Sequence, residues 1–221
     1  MTNSDMTTNK PGRPLNKNSR ELQKDLLIKA ASELLEEKSY RTITIREIAE
    51  RAGMKSAMIS YYFKNKEGLF IALIEQFAAF NIAKMQTAIN SDEPLKVFIK
   101  EAISHLANNP SLSRFIADEV LFQDGPLAES IINAAPKRVA QFLPELMRAL
   151  QKQRKLREDI DPKWAAFSLM TMILMPFIGA RVRDRAWNIS HDDVSSPQWV
   201  DHIYNLFLSG AGIPATVSTN Q

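Results

Sequence analysis

Thr44 to Lys66 reads TIREIAERAGMKSAMISYYFKNK, and no other stretch so restricts what the chain can fold into. Thr44 is a good N-cap, and Glu47 three residues on completes a capping box, so a helix is expected to start at Ile45. Ile45, Ile48, Ala49 and Ala52 then recur on one face at helical spacing. Gly53 is the residue type that ends a helix in the left-handed region at little cost. Met54 can fill the corner, and Ser56 is expected to cap a second helix with Ile59, Tyr62 and Phe63 on its inward edge. Small Ala49 lets the two helices approach closely.

Two short helices around so tight a turn form a helix-turn-helix pattern, in which the second helix enters the DNA major groove and the first crosses the backbone. Lys55, Ala57, Ser60 and Tyr61 would face outward from the second helix. They are short or hydrogen-bonding, as close approach to base edges requires. Thr44, Arg46 and Ser56 join them as candidate DNA contacts.

The run Thr-Ile-Arg-Glu-Ile-Ala-Glu-Arg-Ala-Gly, followed by Tyr61-Tyr62-Phe63-Lys64-Asn65-Lys66-Glu67-Gly68-Leu69, resembles the DNA-binding domain of the tetracycline-repressor (TetR) family. The likeness spans Lys24 to Ile74, about a quarter of the chain. Ser60 stands where many members carry a tyrosine. The resemblance implies that Tyr62 and Lys66 contact the DNA backbone, that a long helix from Lys66 joins two domains, and that the C-terminal body dimerises and takes a small-molecule effector. An N-terminal end of that helix, with its free N–H groups and positive dipole, suits a phosphate on its own account.

Charge is distributed in keeping with this. Met1 to Lys66 holds 13 Lys and Arg against 8 Asp and Glu, whereas the remainder holds 15 against 17, so the formal net charge of +3 collects on the helix-turn-helix segment. Phosphate attraction requires that placement. Residues 1–19 are expected to form a disordered basic arm, poor in apolar residues. Within it Pro11-Gly12-Arg13-Pro14 resembles a minor-groove hook, in which Arg13 would enter an A·T-rich groove.

The rest reads as all-α. A first helix over Ser19–Glu37 carries Leu22, Leu26, Leu27, Ala30, Ala31, Leu34 and Leu35 as an apolar stripe. Beyond the linker helix, which reaches toward Asn90, helices are expected over Pro94–Asn108, Ser111–Phe122, Pro126–Gln153, Pro162–Arg185 and Pro197–Ser209. Prolines at 94, 126, 162 and 197 fit first-turn positions, and Pro136 and Pro144 are candidate break points. The expected division is 1–19 arm, 20–66 DNA-binding domain, 67–210 effector-binding and dimerisation domain, and 211–221 flexible tail. The last two long helices are the candidate homodimer interface, because Phe167 to Phe177 is apolar nearly all round and Trp199, Ile203, Leu206 and Phe207 form a second stripe.

Candidate effector contacts are Phe98, His105, Phe115, Glu119, Phe122, Met147, Phe167, Met170 and Phe177: soft or apolar side chains, with one acid for a cationic group. Metal and cofactor sites are not expected. His105, His191 and His202 lack metal-binding spacing, His191-Asp192-Asp193 reads as a polar loop, and neither a phosphate-binding glycine loop nor a nucleophile elbow occurs. Catalysis is therefore not expected. The sequence has no cysteine, no signal-like N-terminus and no apolar run of the ~20 residues a span needs, so a cytoplasmic protein is expected. The functional expectation is a homodimeric repressor released from a pseudo-palindromic operator by a small molecule. The rival is an architectural or cell-division DNA-binding factor of the same fold with no effector.

Overall fold

The computed structural model describes residues 17–88, 91–121, 123–134 and 136–211, so Arg13 and Phe122 lie outside the described residues. Its regular structure is helical, with no strand among the described residues. Helix α1 (Lys17–Glu37) leads through a 3₁₀ turn (Tyr40–Thr42) into α2 (Ile45–Arg51), α3 (Ala57–Phe63) and the long α4 (Lys66–Ala88). The body follows as α5 (Pro94–Ala107), α6 (Pro110–Ile116) running into a π turn (Ala117–Leu121), α7 (Pro126–Ala134), α8 (Pro136–Lys152), α9 (Pro162–Ile178), α10 (Ala180–Ala186), α11 (His191–Ser195) and α12 (Pro197–Ala211).

Two apolar cores hold these helices. The first gathers Leu27, Ala30, Ala31, Leu34 and Leu35 of α1 with Ile48, Ala49, Ile59, Leu69, Phe70 and Ile74. Leu22 and Leu26, expected in that stripe, are instead 61% and 41% exposed. Leu112 and Phe115 of α6 and Ile131 of α7 also enter this core. The N-terminal helices therefore rest on the body through packed side chains as well as through α4. Phe115 makes tilted ring contacts with Tyr40 and Phe70, at centroid distances of 5.1 and 5.3 Å. The second core joins α5, α8, α9 and α12 around Phe98, Ile99, Leu146, Met147, Leu169, Ile173 and Ile203.

Several boundaries differ from the sequence expectation, each for a local reason. The 126–153 helix is two, since Pro136 opens a new helix, while Pro144 sits inside α8. The 162–185 helix breaks at Gly179, and α9 and α10 meet at 73°. Arg183 braces that bend, its Nη1 donating to the Pro176 carbonyl at 2.8 Å and its Nε to that of Ile189 at 3.1 Å. The expected polar loop at His191 is the helix α11, started by a capping box between Ser190 and Asp193. No single described helix is long and apolar enough to cross a membrane.

Candidate nucleic-acid interface

Helix α2 begins as its sequence dictates. The Thr44 hydroxyl accepts from Glu47 N at 3.3 Å, and Glu47 Oε2 accepts from Thr44 N at 2.9 Å. Lys38 reaches Glu47 Oε1 from the end of α1. The Lys38 bond, reinforced by the two Thr44 donors, holds the Glu47 carboxyl at a pKa of about 2. At the other end Met54 N donates to Ala49 O at 2.8 Å and Gly53 N to Glu50 O at 3.1 Å, the paired bonds of a Schellman motif. Gly53 adopts φ +66°, so glycine is the low-strain choice at this corner.

Helix α3 is anchored by Ile59, which is fully buried. Ala57, Ser60 and Tyr61 lie three and four residues apart on its solvent side, with Lys55 and Ser56 exposed just before them. Tyr61 is 64% exposed. Ser56 does not act as the expected cap: at φ −55°, ψ −30° its backbone is already helical, and its hydroxyl makes no capping bond. It is thereby left facing outward with the rest of the row.

A tight corner fixes the far end of α3. Asn65 Oδ1 accepts from Gly68 N at 2.8 Å and so caps α4. Gly68 lies so close to the end of α3 that a methyl there would overlap the Phe63 carbonyl oxygen. The Tyr62 hydroxyl donates to Gln23 Oε1 of α1 at 2.6 Å. Lys66 is turned inward: Nζ donates to the carbonyls of Tyr40 and Ile43, both at 2.8 Å, and lies 4.1 Å from the Tyr40 ring centroid. Burial pulls the Lys66 pKa down, against the opposing pull of Glu119 and Glu67. Burial also raises the Tyr40 hydroxyl to about 12, helped by the same two carboxylates.

Of the DNA-contact candidates, Thr44, Arg46, Lys55, Ser56, Ala57, Ser60 and Tyr61 are exposed, while Tyr62 and Lys66 are half-buried. Arg46 carries an i,i+4 pair with Glu50 at 2.7 Å. Sequence reasoning missed the supports, Gln23 under Tyr62 and Tyr40 under Lys66. No local signal marks either one, because each partner lies 39 or 26 residues away.

The effector candidates are not brought together. Phe98, Met147 and Phe177 share the body core, with Met170 against it. The His105 ring stacks 3.8 Å from that of Phe77. Phe115 belongs to the other core, and Glu119, 9% exposed, pairs with Arg41 at 3.0 Å. Phe167 is 72% exposed and cannot line an interior pocket as this chain stands. Helix α9 has two apolar faces, one buried through Leu169 and Ile173, the other presenting Trp164, Phe167 and Met175.

Comparison with known proteins bears on this geometry. Residues 27–73 match the family model for bacterial regulatory proteins of the tetR family. The probable HTH-type transcriptional regulator YttP of Bacillus subtilis is 28% identical over 165 residues, covering 70% of this chain and 77% of that protein. The fatty acid degradation regulator FadR from Bacillus halodurans superposes with a TM-score of 0.73 at 23% identity, covering 84% of this chain and 98% of that one. FadR from Bacillus subtilis, solved in complex with stearoyl-CoA, gives a TM-score of 0.69 at 23% identity over the same shares.

Proposed function

Because the chain belongs to the tetR family of bacterial regulatory proteins and is a DNA-binding transcriptional regulator, we propose that it is a homodimeric repressor released from its operator by a small molecule. The observation that carries the reading is the braced corner at Gly53, which leaves Lys55, Ser56, Ala57, Ser60 and Tyr61 as one solvent-facing row. Residues 20–66 read the DNA, with Tyr62 and Lys66 at the backbone, and 67–210 supply the dimer contact and the effector site.

Trp164, Phe167, Met175 and Val182 along α9 and α10, together with Leu206 of α12, form the subunit contact. Exposed apolar side chains in such a row mark an association surface. The two-fold axis then sets the recognition helices at whole DNA turns, ~34–36 Å each, on a pseudo-palindrome. An acyl-type effector suits the body core of Phe98, Met147, Met170 and Phe177, and the neighbour of like fold that holds stearoyl-CoA supports that choice. The effector works by its differential affinity for the two states of the body. Rigid contacts from α6 through Phe115 carry the change to α1 and Tyr40.

Ser60→Ala and Tyr61→Ala are the test. Each is expected to weaken a specific duplex by ~1–3 kcal/mol while leaving random-duplex binding unchanged. Equal losses on both duplexes would show that α3 does not read sequence. Release of the specific duplex by a long-chain acyl-CoA tests the effector; retention at saturating ligand would argue against it.

A further inference from the structure

A cleft of about 970 Å³ opens between α1 with α6 on one side and the end of α9 with α10 on the other, and of its lining the function above draws only on Phe177. One wall is Glu36 of α1 with Ser111, Arg114 and Asp118 of α6 and the π turn; the other is Phe177, Ile178 and the face of α10. Its size lies within the range of small-molecule sites. Helix α10 reads ARVRDRA, and its three arginines have different fates. Arg183 is buried and uses its donors on two carbonyls and on Asp184, the one acid of that helix.

Arg181 and Arg185 are left, one turn apart, exposed, and both lining the cleft. Neither makes an ion pair with a described residue. Two like charges at i and i+4 repel each other, so an anion between them relieves a standing cost. Guanidinium forks suit the flat, two-oxygen face of a phosphate or carboxylate. The apolar part of that second wall is Phe177 and Ile178, with Phe177 meeting the His191 ring edge-on at 6.2 Å.

We propose that this cleft is a second ligand site, taking a small organic anion whose phosphate or carboxylate sits on Arg181 and Arg185 and whose apolar part lies over Phe177 and Ile178. Glu36 and Asp118 stand on the wall formed by α1 and the π turn, which fixes the orientation: the acidic end goes to α10 and a neutral or donor end to α1. The site touches the DNA-reading end directly, since Arg114 on its wall donates from Nη2 to the Leu35 carbonyl at 2.7 Å. The cleft shares Phe177 with the proposed effector core, and Arg181 and Arg185, which that core does not use, keep the two sites distinguishable.

The test is titration of the full-length protein with inorganic pyrophosphate and, separately, with succinate, at low salt, by calorimetry and tryptophan fluorescence. Trp187, exposed two residues beyond Arg185, is a nearby reporter. Wild type is expected to bind at least one probe, pyrophosphate for a phosphate site and succinate for a carboxylate site. Arg181→Gln/Arg185→Gln is expected to bind it about tenfold more weakly, the loss of a good charge-assisted bond. Lys137→Gln/Lys152→Gln on α8 removes the same charge away from the cleft and is expected to leave binding intact. If the glutamine variant melts early, Arg181→Lys/Arg185→Lys keeps the charge and is expected to lose only the part of the affinity that the forks provide. The proposal is overturned if wild type binds neither probe, if the control loses as much as the variant, or if both α10 variants bind like wild type. A change of subunit state or of operator affinity in the glutamine variant would instead assign these arginines to the partner or to DNA, and overturn it too.

Discussion

Lys66→Met keeps the length of the side chain and removes its three donors and its charge, so it separates two roles for one ammonium. The variant loses two bonds of 2.8 Å to the Tyr40 and Ile43 carbonyls and the contact with the Tyr40 ring. Hydrogen bonds to a charged group are worth ~1.5–3 kcal/mol each, and an exposed cation–π contact adds ~0.5–1. Half-burial returns part of this, because the variant no longer desolvates an ammonium, leaving a net loss of about 2–3 kcal/mol. For a chain of this size the melting temperature should fall by about 4–12 °C. The phosphate contact proposed for Lys66 would be lost as well, so the slope of log affinity against log salt should become shallower by ~0.9. Thermal melting and operator titrations at several salt concentrations read the two effects separately. A variant that melts with wild type would refute the clamp, and an unchanged salt slope would refute the phosphate contact.

The remaining predictions follow from the same geometry. Glu47 has a folded pKa of about 2 against an ordinary 4.5, so its stabilisation is full above 4.5 and drains as pH falls toward 2. Glu47→Gln should therefore flatten the acid limb of melting temperature against pH; an identical limb in the variant would show that the capping box contributes nothing measurable. Gly68→Ala places a methyl on the Phe63 carbonyl oxygen and should destabilise far more than Gly53→Ala, where the added methyl meets nothing and only the φ strain of ~1 kcal/mol applies. Equal melting of the two variants would contradict the tight α3–α4 corner. Phe167→Asp should convert a dimer into monomers in sedimentation while leaving each subunit folded, since Phe167 is 72% exposed. A variant that unfolds or remains dimeric would move the interface elsewhere.

What was legible in the sequence is what local spacing encodes. The Thr44–Glu47 box, the Gly53 corner and the Ile48–Ile59 anchors lie within sixteen residues of one another and could be read directly. Contacts across long separations left no trace: Tyr62 with Gln23, Arg41 with Glu119 and Arg114 with Leu35 span 39, 78 and 79 residues. Phe115 illustrates the consequence. Its apolar character was plain, yet only the fold assigns it to the core shared with α1 to α4 and away from the body core. Phe167 fails differently, because an all-round apolar helix does not declare which face meets its own core and which is left exposed. The helix at His191 was legible in principle from Ser190 and Asp193, a capping pattern that a polar-loop reading overlooks.

The central claim is that paired copies of α3 read duplex DNA through Lys55, Ser60 and Tyr61. Selection of bound sites from a pool of random duplexes by purified protein tests it most directly. The account predicts enrichment of an inverted repeat with half-sites one or more helical turns apart, ~10–10.5 base pairs per turn, and loss of that enrichment with Ser60→Ala/Tyr61→Ala. Recovery of no motif, or of the same motif by the double variant, would contradict it.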